Sequence, residues 1–455
     1  MKDFDVVVVG SGTAGQTAAY DLAEAGLKVA VVEKSDRPGG VCALSGCQPK
    51  KWFYEAAEAV ARCRQLAGKG ISVIPQACWS DVLREKNVFT AGVPGRTLEG
   101  FRKAGIEFIA AAASFRDRDT LSAGGRPLRA RHYILAVGAH PTPLPFPGAE
   151  HLMTSEAWLE QPRLPERIVF VGGGFIAFEF AHFAARLGPA GCRPLILEAA
   201  DRPLGPFDAD MVAALVDATR AAGIEVRTRV RIEAIEKAGG EFRIRLAEGG
   251  TVEGEQVVHG AGRVAGVAGL DLPAAGIEHT RAGILVDAGM RTSNPKVFAV
   301  GDCAATMQLA RVADFEGHAA AKNILADLGK AKPEAVDYSG VPAILFTIPQ
   351  LAMVGKTEPW LAEHHVPYRR SFARNLRWPT YRRVGLEHAA YKILAGEDGK
   401  ILGAHFLSDA AAGLVNTVRL AMQCGLTPGL LYEQSILSPY PTRESDLLYM
   451  LKPLG

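Results

Sequence analysis

Apolar and polar positions alternate in long blocks along this chain. Residues 5–10, DVVVVG, place Val6 to Val9 in one β-branched run, the pattern of a strand covered on both faces. After GSGTAG, residues Ala18, Ala19, Leu22 and Ala23 fall at helical spacing, Gly26 ends the helix, and KVAVVE returns as a second strand closing on Glu33. The block recurs at residues 168–198 as IVFVGGGFIAFEF, a helix through AHFAARLG, and CRPLILE ending at Glu198. HYILAVGA (132–139) and VVHGAGR (257–263) each run an apolar strand into a glycine loop. TSNPKVFAVGDCA (292–304) is a buried strand that ends in Gly301 and Asp302. After residue 335 strands and helices continue without a nucleotide loop. In GLVNTVRLAMQCG the apolar positions 414, 415, 418, 421 and 422 form a helical stripe, with Met422 in the core. Between the two blocks lies GAHPTPLPFPG (138–148), whose four prolines predict a stiff crossover and a domain boundary.

Each block is a dinucleotide-binding fingerprint in its strand–turn–helix–strand setting. Gly10 makes the turn, Gly12 lets backbone approach a pyrophosphate, and Gly15 allows close packing of helix on strand. The helix N-terminus attracts phosphate, and Glu33 can accept ribose hydroxyl hydrogen bonds. In the second block Gly172 and Gly174 repeat the first two glycines, Ala177 takes the third position, and Glu198 ends the strand. Two such blocks in one chain predict two dinucleotides, one per domain.

Composition narrows the class. The chain has 455 residues, 48% hydrophobic and 22% charged, with a net charge of +2. That is the balance of a soluble globular protein of two or three domains, with no field calling for nucleic acid or an anionic membrane. No apolar run approaches membrane-spanning length, and structure begins at once without a targeting segment, so a cytoplasmic setting is expected. Seven cysteines in this length do not form a secreted disulfide scaffold. Cys63, Cys78, Cys192, Cys303 and Cys424 are scattered and are expected to be buried small hydrophobes. Cys42 and Cys47, in GGVCALSGCQPKK (39–51), are a close pair. Such a pair can be a metal clip, a structural bridge or a redox couple; the expected cytoplasmic setting tilts it toward transient redox chemistry.

Two nucleotide blocks, the cysteine pair between them and the VFAVGDCA strand together resemble the flavoprotein disulfide reductases, the family of glutathione reductase, dihydrolipoamide dehydrogenase and mercuric reductase. The resemblance spans nearly the whole chain. It implies an α/β fold with two Rossmann-like domains, for FAD and NAD(P)H, and a C-terminal α+β dimerisation domain. The boundaries expected are FAD-binding at 1–145 and 269–337, NAD(P)H-binding at 146–268, and the interface domain at 338–455. VPAILFTIPQLAMVGKTE (341–358) resembles the start of that last domain, and KILGAHFLS (400–408) a strand within it. By the same resemblance Gly10, Gly12, Gly15, Glu33, Gly138, Asp302 and Gly262 belong to cofactor binding. Gly172, Gly174 and Glu198 cradle the nicotinamide cofactor, and Phe175 takes the place of the family's tyrosine lid. Lys51 matches the lysine near the flavin's reactive nitrogen, and Glu179 the acid that pairs with it. Cys42–Cys47 becomes a redox disulfide, Cys47 the thiolate beside the flavin and Cys42 the thiol that meets substrate. A helix beginning near Cys42 is expected to lower that thiol's pKa; no metal ligand set is expected, since no second Cys/His pair lies nearby.

One departure limits the substrate. The family's thiol-exchange enzymes carry a histidine before a Pro-Thr pair near the C-terminus, oriented by an acid five residues on. Here SPYPTRESDLL (438–448) offers Tyr440 and Ser445, with Glu444 one position short. Tyrosine is a poor base at neutral pH but can donate a hydrogen bond to a thiolate. Mercuric reductase-like proteins share the tyrosine, but their paired C-terminal cysteines have no counterpart in MLKPLG. The expected partners are therefore a small-molecule electron acceptor (a disulfide, a persulfide or a metal ion) and a second copy in a homodimer. One alternative is an NAD(P)H oxidase or quinone reductase with the cysteines incidental; another is a redox-sensing, partner-binding flavoprotein. RRSFARNLRWPTYRR (369–383) holds six arginines and no acids, a stretch that suits a solvated face better than anion steering and is too small a footprint for nucleic acid. Glu198 favours NADH by repelling a 2′-phosphate, whereas Ala177 and nearby Arg202 lean toward NADPH; the charge argument outweighs the packing one, so NADH is expected.

Overall fold

The computed structural model describes residues 3–454. The chain divides into two compact units, the described parts of Met1–Trp52, Arg84–Thr142 and Gly262–Asp337, and of Phe53–Leu83, Pro143–Ala261 and Tyr338–Gly455. No described helix is long and apolar enough to cross a membrane.

The first unit is built on a five-stranded parallel sheet in the order Val297–Ala299, Ala130–Leu135, Phe4–Val9, Val29–Glu33, Glu107–Ala110. Phe4–Val9 lies at its centre with Val6, Val7 and Val8 fully buried, which is why the run is continuous rather than alternating. The helix Thr13–Glu24 follows the glycine loop and packs on the helix Ala310–Asp327. Gly317 permits that close approach, since a Cβ there would stand 2.7 Å from the Ala14 carbonyl oxygen. The unit also holds a small antiparallel sheet, Ala113–Phe115, Leu121–Ala123 and Arg126–Leu128, and two two-stranded ones.

The second unit holds a small antiparallel sheet, Ile232–Ala238, Glu241–Leu246 and Thr251–Gly254, and two larger sheets of different texture. Four parallel strands run Glu225–Arg227, Arg193–Leu197, Arg167–Val171, Gln256–His259, and the helix Phe175–Leu187 follows the second glycine loop. Five antiparallel strands run Ala343–Leu345, Gln350–Gly355, Ile401–Ser408, Ala390–Gly396, Tyr368–Arg374. This five-stranded sheet meets the helices Ala411–Gln423, Ala209–Ala221 and Leu447–Leu451. Strand Ala390–Gly396, second from the sheet edge, is buried at every position. The stripe expected at 414–422 is the buried side of Ala411–Gln423: Leu414, Val415, Val418 and Ala421 are buried and Met422 packs on the same core.

Candidate nucleotide and redox sites

Both glycine loops start a helix that no side chain caps. Gly12 is the N-cap of Thr13–Glu24 and Gly174 that of Phe175–Leu187, each without a side-chain hydrogen bond. Elsewhere in the second unit the helices that begin after Asp208, Thr357 and Thr427 are capped by those side chains. The first-turn N–H groups of the two loop helices are left for an anion, as a dinucleotide pyrophosphate requires.

The acids that end the second strands are held alike. Glu33 accepts from the Ser11 N–H at 2.9 Å, the Ser11 hydroxyl at 2.8 Å and the Ser35 N–H at 2.9 Å. Glu198 accepts from the Gly173 N–H at 2.5 Å and the Ala200 N–H at 2.7 Å. Each carboxylate is thereby fixed beside its glycine loop, where a ribose would lie. Gly10 and Gly172 both have positive φ, at 109° and 96°, the conformation that only glycine adopts without cost. The residues present fit two dinucleotides.

The cysteine segment is built onto the first loop. The Ser11 hydroxyl accepts from the Gly39 N–H at 3.0 Å, and a Cβ on Gly40 would overlap the Gly12 Cα. Gly39 and Gly40 both have positive φ, and they turn the chain into the short helix Gly40–Leu44 that carries Cys42. Cys47 then heads the much longer helix Cys47–Gln65. The Cys42 thiol is pushed well up, first by its hydrogen bond with Cys47, then by burial and the charge of Cys47, with the Thr13 hydroxyl pulling it down. This corrects the expected lowering at Cys42. The longer helix dipole starts at Cys47 and not at Cys42. Lys51 is half-buried on that helix one turn beyond Cys47.

Asp302 lies in the short 3-10 turn Gly301–Cys303 at the end of strand Val297–Ala299. Burial raises its pKa against the opposing charge of Arg263, whose guanidinium donates to the Ala139 carbonyl. Gly138 and Gly262 have φ of 68° and 93°, and the Gly262 carbonyl accepts from the Thr142 N–H at 3.1 Å. Sequence reasoning missed Glu316, fully buried on Ala310–Asp327, whose carboxylate accepts from the Gly301 N–H at 2.6 Å. Its signal was present: an acid on the same helical face as Val312, Ala313 and Ala320.

In the second unit Phe175 opens the loop helix with its ring 5.3 Å from that of Phe207. Glu179, one turn on, is buried and accepts from the Phe346 N–H at 3.0 Å. Tyr440 is not gathered with these residues; it is 73% exposed on the C-terminal segment. Arg202 is partly engaged within its own segment. Its guanidinium donates to the carbonyls of Phe207 at 2.8 Å and Gly205 at 2.9 Å. The scattered cysteines divide: Cys303 is buried as expected, Cys63 and Cys192 are half-buried, and Cys78 and Cys424 are exposed at helix ends, one just before Trp79–Ala91 and the other as the C-cap of Ala411–Gln423.

A chain with two uncapped glycine-loop helices, each with its ribose-facing acid, and a cysteine pair packed on one of them has the layout of a redox protein that handles two dinucleotides. The pattern of the pyridine nucleotide-disulphide oxidoreductases matches residues 4–317, and that of their dimerisation domain residues 341–447. The chain belongs to this family of FAD-dependent oxidoreductases, and it is an enzyme. It is 31% identical to a glutathione reductase of Burkholderia cepacia over 93% of this chain and 94% of the relative. It is 30% identical to a dihydrolipoyl dehydrogenase of Chlamydia pneumoniae over 95% and 93%. Among solved structures the HOCl-induced flavoprotein disulfide reductase RclA of Escherichia coli superposes with a TM-score of 0.87 at 23% identity, over 99% of this chain and 100% of that one. The two curated relatives named here act on different acceptors, so membership defines the reaction class and the redox pair, not the acceptor.

Proposed function

We propose that the chain is a homodimeric enzyme that uses NADH to reduce a small acceptor (a disulfide, a persulfide or a metal ion) through Cys42 and Cys47. The observation that carries this reading is the cysteine geometry. Cys42 is hydrogen-bonded to Cys47, and Cys47 stands at the head of a long helix. Bound FAD would supply the two-electron step that accepts hydride from the nicotinamide. The protein's own part is to hold the pair: two electrons open a Cys42–Cys47 disulfide to a thiolate and, with one proton, a thiol. Cys47 is the sulfur whose negative charge the helix favours, and Cys42 is the thiol that meets the acceptor. Lys51 and Glu179 belong to the flavin side, Tyr440 to the acceptor side as a hydrogen-bond donor.

Gly10, Gly12, Gly15, Glu33, Gly138, Gly262 and Asp302 would hold FAD; Gly172, Gly174, Phe175 and Glu198 would hold the nicotinamide cofactor. The segments 1–145 and 269–337, 146–268 and 338–455 serve as FAD, nucleotide and interface domains. Two observations support NADH over NADPH: Glu198 presents a carboxylate where a 2′-phosphate would sit, and both terminal guanidinium nitrogens of Arg202 donate to local carbonyls. The exposed apolar residues Leu430, Ile436, Leu437 and Tyr449 of the C-terminal region support a homodimer. An acceptor screen with NADH and NADPH side by side tests the reading. Turnover with at least one disulfide, persulfide or metal ion, lost in Cys42→Ser and Cys47→Ser, is expected. Turnover with oxygen or quinones alone, unchanged in both variants, would leave the oxidase alternative.

A further inference from the structure

Strand Ala390–Gly396 carries a lysine where every position is buried. Lys392 is 1% exposed, and its ammonium meets Asp208 at 2.8 Å, Asp210 at 2.7 Å and Glu358 at 2.5 Å. Glu358 also accepts from the Tyr368 hydroxyl at 2.8 Å and from Arg370 at 3.3 Å, and its backbone N–H donates to Asp208 at 3.3 Å. Burying an ammonium is costly, and a packed apolar side chain commonly serves stability as well or better. What distinguishes the cluster is where it reaches.

Asp208, itself fully buried, caps the helix Ala209–Ala221. The segment before it runs along the second glycine loop. Leu204 N–H donates to the Gly173 carbonyl at 3.0 Å. The Pro203 Cβ lies 2.8 Å from where a Gly173 Cβ would stand, and the Phe207 ring packs on Phe175. Arg202 ties the segment to itself through the carbonyls of Gly205 and Phe207. Residues 201–208 are thus a strap across the loop, internally tied by Arg202 and anchored at its far end by a lysine from the antiparallel sheet.

We propose that Lys392 is a positioning residue for pyridine nucleotide binding: by fixing Asp208 it holds the strap 201–208 against Gly173 and Phe175 in the arrangement the nucleotide meets. The inference rests on the reading of 172–175 as the pyridine nucleotide loop. A loosened anchor raises the dissociation constant of the nucleotide and leaves turnover at saturation nearly as it was, because Lys392 touches no reacting group.

The test is hydrogen exchange and calorimetry on the FAD-loaded enzyme with NAD+ as the probe. Asp208→Ser is the main variant, since serine caps a helix about as well as aspartate but is neutral and too short to reach the ammonium. Asp208→Asn restores length and an acceptor. If Asp208→Ser does not fold, Glu358→Gln removes another of the ammonium's charges and is read in the same way. In Asp208→Ser the amides of 201–207 are expected to exchange faster and the NAD+ dissociation constant to rise roughly tenfold, about 1.4 kcal/mol. The maximal rate should stay within about twofold, the signature of lost uniform binding, with Asp208→Asn recovering most of the affinity. Unchanged strap exchange and unchanged NAD+ affinity, with NAD+ still protecting 172–178 in the unaltered enzyme, overturns the role of Lys392 alone. Absence of that protection in the unaltered enzyme removes the nucleotide-loop reading and the inference with it.

Discussion

The two glycine loops solve the same packing problem in opposite ways. In the first, the helix residue facing the strand is Gly15 and the residue beyond the strand end is Ala136; a Cβ on Gly15 would overlap the Gly10 carbonyl oxygen and stand 3.3 Å from the Ala136 Cβ. In the second, the helix residue is Ala177 and the strand-end residue is Gly260, whose added Cβ would stand 2.8 Å from the Ala177 Cβ. The methyl group has changed sides of the interface. A fingerprint that reads as degraded at its third position is therefore intact as a pair, with the missing glycine supplied from a later strand. The second position differs too. Ser11 uses its hydroxyl to hold both Glu33 and Gly39, whereas an added Cβ on Gly173 would crowd Glu198 and Pro203 at 2.7 and 2.8 Å. The first loop is tied to the cysteine segment and the second to the strap 201–208, which is where their sequences diverge.

Substitution breaks this comparison most sharply at Gly15. Gly15→Ala drives a methyl into backbone that cannot retreat, so a loss of about 3 kcal/mol or more is expected, read as a fall in urea midpoint and in the FAD retained on purification. Adding Ala136→Gly should not rescue it, because the obstructing atom is the Gly10 carbonyl.

The second loop should behave otherwise. Gly260→Ala is expected to cost about 1–3 kcal/mol by overpacking, and Ala177→Gly about 1 kcal/mol through helix propensity. The double variant should be more stable than the sum of the two losses allows, as a double-mutant cycle on urea unfolding would show. Strict additivity would mean that Ala177 and Gly260 are not the partners described.

The smallest effect separates the units by pH. His405, in the second unit, is 1% exposed, and burial holds its pKa down to about 4 from 6.5. Asp208 and Glu358 pull it up and Lys392 pushes it down, while its Nε2 lies 3.1 Å from the Lys356 carbonyl oxygen. A folded pKa below the unfolded one stabilises fully above about pH 6.5 and progressively less as pH falls toward 4. Hydrogen exchange should thus quicken in strand Ile401–Ser408 over that window, and do so less in His405→Gln. Equal acid sensitivity in the variant would place the effect elsewhere.

Much of this was legible because it is local. Continuous β-branched runs, the glycine spacings and the closing acids lie within 35 residues of one another in each block, so strand, turn and helix can be read together. What escaped reading depends on distant chain. Ala177 is explained only by Gly260, and Lys392 in YKILAG looks like one charge on an exposed strand until both faces are covered. Arg202 has the charge to meet a phosphate, but both of its terminal guanidinium nitrogens donate to local carbonyls. The raised pKa of the Cys42 thiol escaped reading because it comes from the hydrogen bond with Cys47 and from burial, neither of which the spacing reveals. Gly39 and Gly40, both of positive φ, lead only into the short helix Gly40–Leu44 that carries Cys42, and the long helix begins at Cys47.

In the proposed mechanism Cys42 and Cys47 take up two electrons beside the first loop. The direct measurement is anaerobic reduction of the FAD-loaded enzyme by one two-electron equivalent, with thiols counted and the spectrum recorded. The account predicts two new thiols per chain, none in Cys42→Ser or Cys47→Ser, and a long-wavelength thiolate–flavin band that Cys47→Ser abolishes. Reduction that bleaches the flavin and exposes no new thiol would contradict it.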